Sequence, residues 1–377
     1  MKTVGIICEY NPFHLGHSLQ LHTVRDELCR QGEDACIVAL MSGSYVQRGG
    51  PAVLPKEERA RVALSEGADL VLELPFPWCM SGADRFAAGA MAILEGLGGI
   101  DYLAFGSEIG NVDSLARIAQ VISTPEFDQA VGKAAEARPD LSFAAQRELA
   151  YLQLTGEPLP KLDPNDLLGV AYLSHLHEIK PLVFRRLPGY SATKARKALS
   201  QCDFNALQEL VPSATIDALR AFNGLSDCAI HQAVLAYLLL TPPKTLATYA
   251  ECNLELASRL INAAATSQTI EEVIEKATSK HFTTARVRRA LWHSYLQTPS
   301  SAPMKLPTYT NLLAANEKGR AVLRSVAKKS EITVVTRPSN ASKNSEIAAQ
   351  YALSESKERI YRLFAGLANE KTAPILK

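Results

Sequence analysis

The sequence predicts an α/β protein: a Rossmann-like parallel sheet within residues 1–200, followed by a mainly helical second half, 201–377. Three observations carry this reading. Short apolar runs alternate with amphipathic helical patterns over the first hundred residues. Loops rich in Gly, His and hydroxyl residues follow those runs, where an open parallel sheet binds its ligands. Beyond about residue 200 the helical patterns take over.

In order, Thr3–Cys8 reads as the first strand and Leu19–Arg30 as the helix after it. Ala35–Met41, Asp69–Leu74 and Tyr102–Phe105 are the next strands, with helices near Lys56–Glu66 and Gly82–Leu97 between them. Their almost wholly apolar character fits strands buried on both faces. From about 111 to 160 an Ala-rich helical stretch reads as an insertion. Asp163 then stands as the N-cap of a further helix with Pro164 in its first turn. A short strand, Pro181–Arg186, leads through Leu187-Pro188-Gly189-Tyr190 into a helix opening at Ser191. Helical patterns continue to about Gln297, broken by Pro242-Pro243. After Thr298–Pro307 the tail holds one strand-like run, Ile332–Thr336, and a last helix near Ser345–Leu367.

Composition narrows the class. The chain has 377 residues, 47% hydrophobic and 21% charged, enough for two domains with a sizeable core. A formal net charge of +1 steers no polyanion, so any nucleic-acid affinity must come from a local basic face. Seven dispersed cysteines without a C-x-x-C pair argue against a disulfide framework or a zinc cluster, and no metal site is expected. Cys8 and Cys36 read as small core fillers. A strand begins at once, so no signal peptide is expected, and no apolar run is long enough to span a bilayer. The expected compartment is the cytoplasm.

The most informative segment is Glu9-Tyr10-Asn11-Pro12-Phe13-His14-Leu15-Gly16-His17, at the handover from the first strand to its helix. A helix N-terminus offers unpaired N–H groups and the positive end of its dipole to a phosphate. Gly16 permits close approach, and the imidazoles of His14 and His17 can donate to phosphoryl oxygens, which suits nucleotidyl transfer. Ser191-x-Thr193-x-x-Arg196 forms a second strand–turn–helix junction, with hydroxyls for phosphate oxygens and a guanidinium for the β- or γ-phosphate. The loop Ser42–Pro51 adds hydroxyls, glycines and Arg48 after the second strand; Lys56, Arg59 and Arg61 read as the solvated side of the next helix, with Lys56 near its start also able to face a phosphate. Asn165, Arg185 and Arg186 suit a base or ribose edge and a phosphate, while Glu73 and Asp84 are carboxylates that could help hold magnesium. In the second half, Lys280, Arg286 and Arg289 sit among Phe282, Trp292 and His293, and Lys328 and Lys329 close a second basic cluster. Interleaved cations and aromatics suit RNA.

With these motifs assembled, the chain resembles the bacterial tRNA(Met) cytidine acetate ligase family, a branch of the nucleotidyltransferase-like superfamily. The likeness runs through Val4–His17, Met41–Gly49, Asp69–Pro75, Phe105–Glu108, Pro164–Gly169 and Ser191–Arg196, with a looser match at Phe282–Arg286. It implies a nucleotidyltransferase-like catalytic unit over 1–200 and a tRNA-binding unit over 201–377. It also implies activation of acetate by ATP with Mg2+ to give acetyl-AMP, then acetylation of N4 of the wobble cytidine of elongator tRNA(Met). The ATP contacts it implies are Ile7, Cys8, Glu9, Tyr10, Asn11, Pro12, Phe13, His14, Leu15, Gly16, His17, Ser18, Leu19 and Gln20, then Gly106, Asn165, and either Arg185 or Arg186. Beside it stand two other readings of the same residues: an adenylyltransferase acting on a small phosphorylated acceptor, and an RNA-binding protein with a nucleotide fold and no chemistry.

Overall fold

The computed structural model describes residues 1–186, 189–341, 344–369 and 373–377; Leu187 and Pro188 of the expected turn lie outside the described residues. Its centre is an eight-stranded sheet. Strands β1 (Lys2–Cys8), β2 (Ala35–Ser42), β3 (Leu70–Leu74), β4 (Tyr102–Ser107) and β5 (Lys180–Arg185) run parallel in the order β5-β4-β1-β2-β3. Between and after them come α1 (Leu15–Arg30), α2 (Lys56–Ser65), α3 (Ala83–Leu97), α4 (Val112–Ile122), α5 (Pro125–Ala137), α6 (Phe143–Thr155), α7 (Pro164–Ser174) and α8 (Ala192–Ser200). The expected elements are therefore present, and α4 to α6 fill the stretch read as a helical insertion.

Strand alternation explains the layering. In β2, Ile37, Ala39 and Met41 pack with Leu21, Val24 and Leu28 of α1 and Ala60 and Ala63 of α2. Val38 and Leu40 point the other way, into a core with Phe86, Ala90 and Leu94 of α3. Both faces are covered, which is why these strands read as continuous apolar runs.

The sheet is neither wholly parallel nor confined to the first half. β6 (Tyr309–Ala315) adds antiparallel to β3, and β7 (Thr333–Val335) and β8 (Ile375–Leu376) pair with β6. Of these the sequence pattern marks only the β7 region. β6 escaped because its polar residues serve a buried partner: Thr310 Oγ1 donates to the Glu73 carbonyl at 2.7 Å and Asn311 Nδ2 to Glu73 Oε2 at 2.8 Å. The remainder of the second half is largely helical, including Leu254–Ala264, Ile270–Ala277, Thr284–Tyr295, Glu317–Val326 and Ser345–Phe364. That last helix returns to the loop after β2, where Ser44 Oγ donates to Glu358 and the Tyr361 hydroxyl to the Ala52 carbonyl. Among the described residues no helix is long and apolar enough to cross a membrane.

Candidate active site

A cavity of about 480 Å³ opens at the carboxyl ends of β1, β4 and β5. From β1 the chain passes to β2 on one side while β4 lies on the other, the reversal at which open sheets bind ligands. α1 starts at Leu15, earlier than the expected Leu19, so His14 is its N-cap and Gly16 and His17 lie in its first turn.

The backbone turns sharply to achieve this. Tyr10 has φ +48, a left-handed conformation that costs a non-glycine residue on the order of 1–2 kcal/mol. Its ring is buried against Phe13 and His17, centroids 4.6 and 4.9 Å away. Arg59, expected on a solvated face, is instead fully buried and locks the turn from below by donating to the carbonyls of Glu9 at 2.7 Å, Ser42 at 3.0 Å, Leu54 at 3.1 Å, and Gly43. At Gly16 a Cβ would press on the His14 ring and on Tyr190 at 3.0 Å, so a side chain there would displace the wall of the cavity.

The two histidines are stacked, ring centroids 3.6 Å apart. His17 Nδ1 accepts the backbone N–H of His14 at 3.1 Å, which leaves the His17 proton on Nε2 as a donor. Burial, reinforced by Arg186, lowers His14 to about 4. Burial, with His14 and Arg186 beside it, holds His17 well below the usual histidine range. Both rings are neutral near pH 7, and the cations on the cavity wall are Arg48, Arg185 and Arg186.

Arg186 Nη1 donates to Glu108 Oε1 at 3.0 Å, and the same oxygen accepts Asn165 Nδ2 at 2.6 Å. Asp166, the next residue of α7, accepts the N–H groups of Glu108 and Ile109 and so fixes the loop after β4. Gly106 leaves room for the Arg186 stem, since a Cβ would lie 2.8 Å from its Cγ. Arg185 also lines the cavity but is exposed and packs on Gly110.

Fourteen of the candidate residues line the cavity: Ile7, Cys8, Glu9, Tyr10, Asn11, His14, Gly16, His17, Leu19, Gln20, Gly106, Asn165, Arg185 and Arg186. Pro12, Phe13, Leu15 and Ser18 do not line it; Ser18 Oγ donates to Glu66. The second motif is arranged as a brace. Ser191 Oγ caps α8 by accepting the Lys194 N–H, and Arg196 donates to the Asn11 carbonyl at 2.6 Å and to Thr193 Oγ1 at 3.4 Å. Here Arg196 holds the turn carrying the first motif. Cys8, read as core filler, is a cavity wall, whereas Cys36 is buried as expected.

Three expectations are corrected by the partners these side chains find. Lys56 faces no phosphate: it sits between Glu73 at 3.1 Å and Glu358 at 3.3 Å. Glu73 is consumed by Lys56 and Asn311, and Asp84 meets His175 at 3.1 Å, so neither carboxylate faces the cavity. Arg289, offered for RNA, is only 9% exposed and pairs with Glu251 at 3.1 Å. Arg286 lies over the Phe282 ring, Lys280 is exposed, and Lys328 and Lys329 sit beyond α3 at the opposite end of the sheet.

Compared with known proteins, residues 1–373 match the HIGH nucleotidyl transferase family. The tRNA(Met) cytidine acetate ligase of Caldanaerobacter subterraneus is 34% identical over 365 residues, 89% of each chain. The chain belongs to the tRNA(Met) cytidine acetate ligase family. Another member, from Acetivibrio thermocellus, is 32% identical over 90% of this chain and 89% of its own. The Thermotoga maritima TmcAL crystal structure bound with alpha-thio ATP superposes with a TM-score of 0.89 at 26% identity, covering 100% of this chain and 99% of that one.

In this ligase family member the cavity has further walls beyond the candidate residues. Phe86 of α3, Phe105 of β4 and Leu168 and Tyr172 of α7 form an apolar side, and Gln47 and Arg48 of the loop after β2 close the rim. The loop itself carries a readable signal, its Gly-Gly pair. Gly49, at φ +94, faces the Arg289 backbone, and Gly50 faces the Trp292 ring. The aromatic wall carries none, because Phe and Tyr at helical spacing read as core.

Proposed function

We propose that this protein activates acetate with ATP and transfers the acetyl group to N4 of the wobble cytidine of elongator tRNA(Met). The observation that carries the reading is the pair of neutral imidazoles and Arg186 at the start of α1, on the wall of a nucleotide-sized cavity. The names of the ligase relatives and the ATP analogue in the Thermotoga maritima neighbour support it.

In the first step an acetate oxygen attacks the α-phosphorus and pyrophosphate leaves on the opposite side. No protein nucleophile is needed, so catalysis is positioning and electrostatics. His17 Nε2–H and the first-turn N–H groups of α1 donate to the α-phosphate, and Arg186 offsets its charge. Magnesium enters with ATP as part of the substrate.

In the second step the cytidine amine attacks the acetyl carbon of acetyl-AMP and AMP leaves. The base reaches the cavity unstacked. Residues 201–377 provide the tRNA surface, with Arg286 and Arg288 on the helix packed over the Gly49–Gly50 loop. Such an enzyme works in the cytoplasm, where its tRNA is.

ATP–pyrophosphate exchange tests the reading. Exchange should depend on acetate. Exchange supported instead by a small phosphorylated acceptor would establish the adenylyltransferase reading, and ATP binding without exchange the non-catalytic one.

A further inference from the structure

The second step releases a proton that the first does not: the amine nitrogen begins with two hydrogens and the amide keeps one. A group on the acceptor side of the cavity that takes it would speed the step. The carboxylate lining the cavity is Glu9, at the end of β1.

Its surroundings are unusual for a site that handles polyanions. Glu9 Oε1 is fixed by the backbone N–H of Gln47 at 2.7 Å, while Oε2 makes no hydrogen bond among the described residues. No ion pair among the described residues holds the carboxylate. A half-buried carboxylate with one oxygen unpartnered and no direct cation is open to a donor on the substrate. Neither acetate nor a triphosphate brings a donor to the reacting centre; the cytidine amine does.

Topology puts Glu9 on the correct side. Arg186, Asn165 and Gly106 lie at the ends of β4 and β5 or on the helix packed beside them, and Glu9 joins the loop after β2 through Gln47. That loop continues through Arg48 to Gly49 and Gly50, which lie under the basic helix Thr284–Tyr295. Glu9 thus stands between the nucleotide half of the cavity and the face from which RNA would arrive.

Resting on the acetate-ligase reading, we propose that Glu9 is the general base of acetyl transfer. The N4 lone pair attacks the acetyl carbonyl carbon and the C–N bond forms. The bond from that carbon to the AMP oxygen breaks, AMP leaving with the electron pair. The N4 proton passes to Glu9 Oε2 and then to solvent. Burial raises the Glu9 carboxyl above the usual carboxylate range, against the opposing pull of Gln47 N–H, Arg196, Arg48 and Arg59; Cys8 and Tyr172 also face it. A base so raised is better matched to its task than an exposed carboxylate.

The test is Glu9→Gln, which keeps an oxygen for the Gln47 N–H. Two rates are measured on wild type and variant: acetate-dependent ATP–pyrophosphate exchange, and single-turnover transfer from acetyl-AMP to unmodified tRNA. A positioned base contributes roughly 10²–10⁴-fold, so the ratio of transfer to exchange should fall at least about 10²-fold. Wild-type transfer should also rise with pH through a value above the usual carboxylate range, a rise that the variant lacks. An unchanged ratio would overturn the assignment, whether both rates persist or both fall together, the latter making Glu9 an ATP contact. Wild-type protein that makes no acetylcytidine would instead defeat the ligase reading on which this rests.

Discussion

His17 Nδ1 accepts the backbone N–H of His14 at 3.1 Å, and the two rings stack with centroids 3.6 Å apart. One bond therefore does two things: it satisfies an N–H at the start of α1 and fixes which nitrogen of His17 can donate. The motif's spacing follows from this geometry, because residues three apart at a helix start face each other.

His17→Ala removes both the donor and the support of the turn. Acetate-dependent exchange should drop by roughly 10²–10³-fold, the usual scale for one preorganised donor to developing charge. Pyrophosphate exchange kinetics at saturating ATP check this; a loss of less than threefold would be inconsistent with the role.

Arg186 and Arg185 separate by environment. Arg186 is held by Glu108, which also holds Asn165, and its charge reaches His14; Arg185 is exposed. Arg186→Ala should raise the KM for ATP by roughly ten- to a hundredfold, the range for a charge-assisted contact of about 1.5–3 kcal/mol. Arg185→Ala should change it much less. Parallel ATP titrations of the two variants decide it.

Much of this was legible beforehand. β1 to β5 are near-continuous apolar runs because both faces of the sheet are covered, and the handover from β1 to a helix was legible, although α1 begins at Leu15 and not at the expected Leu19. What stayed hidden was polar residues used inside the fold. Asn311 and Thr310 disguise β6 because they serve Glu73, and Arg289 and His293 share a helical row with Arg286 but turn inward. Composition records a charge without recording whether water reaches it. The Ser42–Pro51 loop was legible as a site loop, but not that it is seated against a helix more than two hundred residues away.

The inward turn has a consequence for RNA binding. Arg289→Ala leaves Glu251 without its cation and should destabilise the fold by roughly 3 kcal/mol, the scale of breaking a buried pair. Arg286→Ala should leave thermal stability nearly unchanged, weaken tRNA binding, and reduce the salt slope by about one phosphate contact. Thermal unfolding and binding at several salt concentrations distinguish the two.

Acid should loosen the protein through its buried histidines. His293, fully buried with Nε2 3.0 Å from the Met80 carbonyl, is lowered to about 4, as is His14. A histidine depressed on folding takes up its proton first in the unfolded chain. Its stabilising contribution is therefore complete above about 6.5 and is lost as pH falls toward about 4, to the extent of roughly 3 kcal/mol for one such group. His293→Gln retains an N–H for Met80 and has no proton to gain. Unfolding from pH 7 to 4.5 should be less acid-sensitive in that variant than in wild type; equal slopes would contradict the assignment.

The most direct test of the central claim is to incubate the protein with ATP, magnesium, labelled acetate and unmodified elongator tRNA(Met), digest the RNA, and locate the label by mass spectrometry. The account expects labelled N4-acetylcytidine at the wobble position, dependent on ATP. Acetate-dependent pyrophosphate with unlabelled RNA, or no reaction at all, would contradict it.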